Sequence, residues 1–280
     1  MSLDRDQLIG IAHAERQRLG RMIQFADAST WEQPSAADGW WNIDVMAHLA
    51  AADTAAAQLL AGEPAAELDE FREKVGAEGF SIDGLNAWTV NRRSGLPVRD
   101  VLQTWGAAAD SLLASCSGLT DDEWTSNRYA WIAGDIAARY LLQSRIVEWF
   151  LHGEDMRATN GVSTRWQLAW QHWPVHLTID MAVRMLPWAL GRAGRDLAGL
   201  SVQIEVSGAG EGTWHWGLGP GDVPSPRKTP DAILRGRAPQ LALVAGQRLS
   251  ADAVLDAGTI VLAGDRRLAD TVLRALRAYP

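Results

Sequence analysis

Up to about residue 160 the apolar residues of this 280-residue chain recur at helical spacing, and beyond that point they begin to alternate. A period of 3.6 buries one stripe of a helix, whereas a period of two buries one face of a strand. The change of period therefore splits the chain into a helical part, residues 1–160, and an α+β part, residues 161–280. The whole exceeds the usual size of one compact domain, and each part is long enough to bury a core of its own.

In the first part, Leu8, Ile9, Ile11, Leu19, Met22 and Ile23 predict an amphipathic helix over residues 3–28. Asn42 is a good N-cap residue, and Asp44 follows in the first turn, where the helix dipole favours an acid, so a second helix is expected over 42–60. Residues 61–97 are interrupted by Gly62-Glu63-Pro64 and Gly95-Leu96-Pro97 around a short helix or two. Val98, Val101, Leu102, Trp105, Ala108, Leu112 and Leu113 mark a third long helix closed by Gly118, and a fourth runs from near Asp135 to Asn160-Gly161. Four long helices with no strand signal describe an antiparallel four-helix bundle. The second part opens with a helix over 165–190. Strands are then predicted at 202–206, 214–218, 232–234 and 259–262, with helices at 238–249 and 268–279 and a loop at 220–230, so the chain is multidomain, α then α+β.

A net charge of -8 offers no electrostatic footprint for nucleic acid or anionic lipid. The first residues carry acids where a secretory signal carries bases, and no charge-free run reaches the roughly 20 residues of a membrane span. A cytoplasmic protein with neither nucleic acid nor membrane as partner is the expectation. The single cysteine, Cys116, rules out an intramolecular disulfide framework and a thiolate-rich zinc site. Its neighbours Leu112, Leu113, Ala114 and Ser115 read as a buried helix. The 14 tryptophans, against 4 phenylalanines and 3 tyrosines, are read mainly as core.

Glu148 and His152 stand four apart in the fourth helix and so share one face, extended by Ser144 and Asp155. The rest of that helix carries Ile146, Val147, Trp149, Phe150 and Leu151, which predicts that the polar stripe lines an interior. Burying a carboxylate and an imidazole is costly unless they are paired or hold a cation. An oxygen and a nitrogen donor suit zinc, iron or nickel if a third ligand exists. His48, among Val45, Met46, Ala47, Leu49 and Ala50, is the candidate. Taken singly, His48 also reads as a core histidine, and the Glu148/His152 pair as a surface pair.

The segment Trp41-Asn42-Ile43-Asp44-Val45-Met46-Ala47-His48-Leu49-Ala50, together with Glu148-Trp149-Phe150-Leu151-His152-Gly153-Glu154-Asp155, resembles the mycothiol-dependent maleylpyruvate isomerase family of the wider DinB-like superfamily. Gly246-Gln247-Arg248 and Gly264-Asp265 are similar to that family's C-terminal domain. The resemblance implies a DinB-like four-helix bundle followed by a sterol-carrier-like domain. It also implies a divalent metal, most often zinc, on His48, Glu148 and His152, with mycothiol as cofactor. Asn42 departs from the Ser or Thr usual in the family before the histidine-bearing helix. Three protein ligands leave one coordination position open, as in catalytic sites.

The chemistry so implied is activation of a low-molecular-weight thiol, which suits a chain whose one cysteine reads as buried. Addition to an electrophilic small molecule would give an isomerase if the adduct eliminates after rotation, or an S-transferase if it is released. Arg248 is the candidate cation for an anionic substrate or cofactor group, with Arg145 and Arg157 as weaker ones that also read as surface arginines. Asp155 is expected either to orient His152 or to lie exposed at the end of the helix. His172 and His176 have an i, i+4 spacing, but Pro174 lies between them and no third ligand is evident. His215, between Trp214 and Trp216, should face away from them. A metal-dependent hydrolase and a non-catalytic metal- or ligand-binding protein are the alternative readings, and monomer and homodimer both stay open.

Overall fold

The structure, a computed structural model, describes residues 3–132, 134–158, 171–194, 197–219 and 229–279. The chain divides into two compact units, Met1–Thr164 and Arg165–Pro280. The first contains α1 (Arg5–Gln24), a 3-10 turn (Ala28–Glu32), α2 (Asn42–Leu60), α3 (Ala66–Gly79), α4 (Ile82–Arg93), α5 (Val98–Gly118), α6 (Asp121–Ser126), β1 (Tyr129–Trp131), β2 (Gly134–Ile136) and α7 (Ala138–Ala158). The N-terminal region is thus helical apart from one small hairpin.

Helix α1 starts on a reciprocal cap: the Asp4 carboxylate accepts from the Gln7 N–H at 2.8 Å, and the Gln7 side chain accepts from the Asp4 N–H at 3.0 Å. Helix α2 begins at Asn42 as expected, but Asn42 is not its N-cap. Trp41 is its N-cap and Asn42 its first helical residue, because Asp44 accepts from the Trp41 N–H at 2.9 Å. The Asn42 amide, fully buried, instead donates to the Thr30 carbonyl at 2.8 Å. Helix α2 packs on α5 and α7, and α1 packs on the same two, which closes a ring of four long helices. Alanine supports both the helix and the packing of α2. It is the strongest helix former, and Ala47, Ala50, Ala51, Ala55, Ala56 and Ala57 are all buried. Helix α7 is buried on nearly every side, polar residues included.

Two details correct the sequence reading of this unit. The fourth long helix begins at Ala138 rather than near Asp135, since Gly134–Ile136 pairs antiparallel with Tyr129–Trp131, Trp131 opposite Gly134. Strands of three residues are too short to show an alternating pattern, and Gly134 holds a positive φ of 120°. The irregular stretch 61–97 holds α3 and α4, with α3 bent at Gly76, where φ is 69°. The expected stop at Asn160-Gly161 lies outside the described residues.

The second unit holds α8 (His172–Arg192), β3 (Ser201–Ser207), β4 (Gly212–Gly217), β5 (Ala232–Arg237), α9 (Ala238–Ala245), α10 (Ala251–Asp256), β6 (Ile260–Gly264) and α11 (Arg266–Ala275). The sheet order is β4-β3-β5-β6, with β3 and β5 parallel and the outer pairs antiparallel. Val202 and Ile204 pair with Trp216 and Trp214, and this buried face alternates with Gln203, Glu205 and the exposed His215. Helix α8 packs on β4 and α9, and α11 packs on β5 and β6. Pro174 sits in the first turn of α8, where a missing N–H costs nothing, so it does not disturb the helix. The helix expected over 238–249 ends early at Ala245. Gln247 then adopts φ 61°, and the further helix α10 follows. The first residues of the helix expected over 165–190, and most of the loop at 220–230, lie outside the described residues. A two-domain α and α+β chain is what the two units amount to.

Candidate metal centre

Three of the side chains singled out in the sequence converge in the first unit. His48 comes from the middle of α2, and Glu148 and His152 come from successive turns of α7. One Glu148 oxygen, Oε2, lies 2.9 Å from His48 Nε2 and 3.2 Å from His152 Nε2. One donor atom from each residue falls within 4.8 Å of the other two. Both imidazoles are buried, and Glu148 is nearly so.

Burial pushes the Glu148 carboxyl up, but hydrogen bonds from His152 and His48, with the charge of Arg145, outweigh it and hold the group well below the ordinary carboxylate range. Burial draws His48 down, only partly offset by Glu148, so its imidazole favours the neutral form that a ligand needs. Burial also acts to lower His152, but Asp155 and Glu148 flank it and raise it overall. The result is one anionic oxygen between two nitrogens. A set of two imidazoles and a carboxylate suits a borderline divalent ion.

Supporting residues surround the three. Asp155 is buried, and its Oδ2 lies 2.9 Å from His152 Nδ1, so of its two sequence readings the structure has the buried one. Arg145 is not a surface arginine. It is 2% exposed and donates from Nε to Asp53 Oδ1 at 2.7 Å, while Trp149 Nε1 donates to the other Asp53 oxygen at 2.7 Å. Arg157 is largely buried and ion-paired with Glu154, which again corrects the surface reading. Ser144 donates to the Leu141 carbonyl at 2.7 Å and takes no part in the cluster.

Arg248 belongs to the second unit, in the turn after α9, where its guanidinium donates to the Gly246 carbonyl. His172 Nδ1 accepts from the Gly210 N–H at 3.1 Å, and His176 Nδ1 lies 3.2 Å from the Glu211 carbonyl. Among the described residues these two gather no third ligand. Cys116 is fully buried, and burial pushes its thiol up to about 12.

Two features escaped the sequence reading. Trp40 lies over both histidines, its ring centroid 5.1 Å from that of His48 and 5.9 Å from that of His152. Its loop is tied to α7 by the Ala36 N–H, which donates to the Asp155 carbonyl at 3.1 Å. Its place just before the His48 helix was the available signal. Asp53, five residues after His48, gave no signal, because only the fold brings it under Arg145.

Comparison with known proteins bears on the family and the fold. Residues 12–157 match the family described as the mycothiol maleylpyruvate isomerase N-terminal domain. Two crystal structures, of a mycothiol-dependent maleylpyruvate isomerase and of a point mutant of it, share the fold with a TM-score of 0.60 each. They are 14% and 13% identical to this chain and cover 94% of it, with 95% of their own length matched. No curated protein matches. The family match spans more than half of the sequence and includes His48, Glu148 and His152, and the chain belongs to the mycothiol maleylpyruvate isomerase N-terminal domain family.

Proposed function

We propose that this chain is a metal-dependent enzyme that uses mycothiol to attack a small electrophile, as an isomerase of the maleylpyruvate isomerase type or as a thiol S-transferase. Family membership supports a thiol-dependent enzyme of one of these kinds. The observation that carries the metal-centred reading is the convergence of His48 and His152 on a single oxygen of Glu148. A divalent ion held there, most simply zinc, supplies Lewis acidity and lowers the pKa of a thiol that reaches it.

The chain's own residues prepare that site. Glu148 offers a carboxylate already ionised by its neighbours, and Asp155 holds His152 by Nδ1 so that Nε2 faces inward. Trp40 covers the rings of both histidines with an apolar face. Arg248 is assigned to bind an anionic group of substrate or thiol, on the resemblance of its Gly246-Gln247-Arg248 segment to the family's C-terminal domain. The nucleophile comes from outside the chain, consistent with the buried, high-pKa Cys116. The same proposal describes residues 1–160 as a DinB-like four-helix bundle and 161–280 as a sterol-carrier-like domain, in a cytoplasmic monomer or homodimer. No helix among the described residues is long and apolar enough to cross a membrane.

The test is turnover of a panel of electrophiles, maleylpyruvate among them, by zinc-loaded protein with and without mycothiol. Turnover only with the thiol, lost in Glu148→Gln together with bound zinc, is the expected result. Ester or amide hydrolysis without thiol would replace this reading with that of a hydrolase.

A further inference from the structure

His48, His152 and Trp40 set their rings at the corners of a nearly equilateral triangle. The two imidazole centroids are 5.1 Å apart, and the indole centroid lies 5.1 Å from that of His48 and 5.9 Å from that of His152. Two of the corners offer a ring nitrogen to a cation. The third offers none, because an indole nitrogen is a donor only and has no lone pair to give. The indole is within 22° of parallel to the His152 ring and is tilted 49° to that of His48, so carbon lies against both ligands.

Backbone bonds hold the indole in place. The Ser35 N–H donates to the Trp40 carbonyl at 2.8 Å, and the Trp40 N–H donates to the Ala37 carbonyl at 3.1 Å, closing a turn in which Gly39 takes a φ of 77°. The half-buried Trp40 side chain takes no part in these bonds. It can be shortened without undoing the loop that carries it.

That placement bears on how many ligands an ion can gather. His48, Glu148 and His152 each bring one donor atom, all within 4.8 Å of one another. Zinc then needs a single further ligand, whereas an ion that completes a shell of six with water, such as nickel, needs three. An indole at the third corner keeps water from its side. The loss is small for a four-coordinate ion and large for a six-coordinate one. Nitrogen and oxygen donors by themselves separate nickel from zinc poorly, so the geometry of the site decides between them.

We propose that Trp40 is a positioning residue that sets the metal preference of this centre, holding a bound ion to few ligands and so favouring zinc over six-coordinate ions. The inference rests on the proposed function for the presence of the ion, but it concerns a residue outside the ligand set and needs no turnover to be tested.

Cobalt(II) is the probe, since its visible absorption is intense with four ligands and weak with six. The full chain, stripped of metal and loaded with cobalt, should give the intense spectrum. Trp40→Phe should keep it, and Trp40→Ala should give the weak one. In competition titrations Trp40→Ala should raise the affinity for nickel relative to zinc at least about tenfold. A role in folding alone would move the thermal melting followed by circular dichroism, but neither the spectrum nor the ratio. Trp40→Leu, which stays apolar but leaves part of the corner open, replaces Trp40→Ala if that variant does not fold. A weak spectrum in the parent chain would overturn the inference, and so would a folded Trp40→Ala or Trp40→Leu that keeps both the intense spectrum and the parent ratio. Those outcomes leave the metal centre standing. Failure of the parent chain to bind cobalt, or equal binding by His48→Ala, would remove the metal centre of the proposed function and this inference with it.

Discussion

Asp155 Oδ2 lies 2.9 Å from Nδ1 of His152, one turn earlier on α7, and the carboxyl is 1% exposed. A buried carboxylate at that nitrogen fixes the ring and leaves Nε2 to face Glu148. Partners of this kind raise the basicity of an imidazole ligand, and their loss typically costs about 10–100-fold in metal affinity. Asp155→Asn should therefore weaken zinc binding by roughly tenfold while the fold is kept. Competition against a chromogenic chelator measures it, and unchanged affinity would show that the carboxylate charge plays no part.

The Asp53–Arg145 pair should matter for stability more than for chemistry. Both side chains are out of water, and Trp149 depends on the same carboxylate. Asp53→Ala strands a buried guanidinium and an indole N–H, and breaking a buried pair in this way costs about 3–5 kcal/mol. Urea unfolding should show a loss of unfolding free energy of that order for the N-terminal unit, read from the lowered midpoint at unchanged slope. A loss below about 1 kcal/mol, the range of exposed pairs, would mean that water reaches the network.

Cys116 should resist alkylation in the native protein. Only the thiolate reacts, and a thiol pushed up to about 12 is overwhelmingly protonated near neutral pH. Iodoacetamide should leave the folded chain unlabelled and modify it rapidly in urea, as read by intact mass. Fast native labelling would show that the α5 core opens.

Gly236 should be intolerant of a side chain. It lies in β5 opposite Ile260, and a Cβ added there would run into the Thr259 carbonyl oxygen and the Ile260 backbone. Backbone atoms cannot move aside as the end of a flexible side chain can, so Gly236→Ala should destabilise the C-terminal unit by about 1–3 kcal/mol. Gly258→Ala gives a useful contrast. A Cβ there meets open space, and the cost comes only from its positive φ of 64°. Similar melting temperatures for Gly236→Ala and the parent chain would sink the argument.

The division into a helical region and a sheet-containing region was legible in the order of residues, because the period of apolar side chains is a local property of each element. So was the sharing of one helix face by Glu148 and His152, since four residues make a little more than one turn. Local pattern could not supply what depends on distant segments. The three-residue strands of the Tyr129–Ile136 hairpin exist through pairing with each other. Arg145 looks like a surface arginine until the fold sets Asp53 against it. His48 could be named as the candidate third ligand beside Glu148 and His152, but taken singly it also read as an ordinary core histidine. The packing of α2 on α7 alone sets His48 Nε2 2.9 Å from Glu148, because the distance between two helices is decided by the side chains interleaved between them and not by either sequence in isolation.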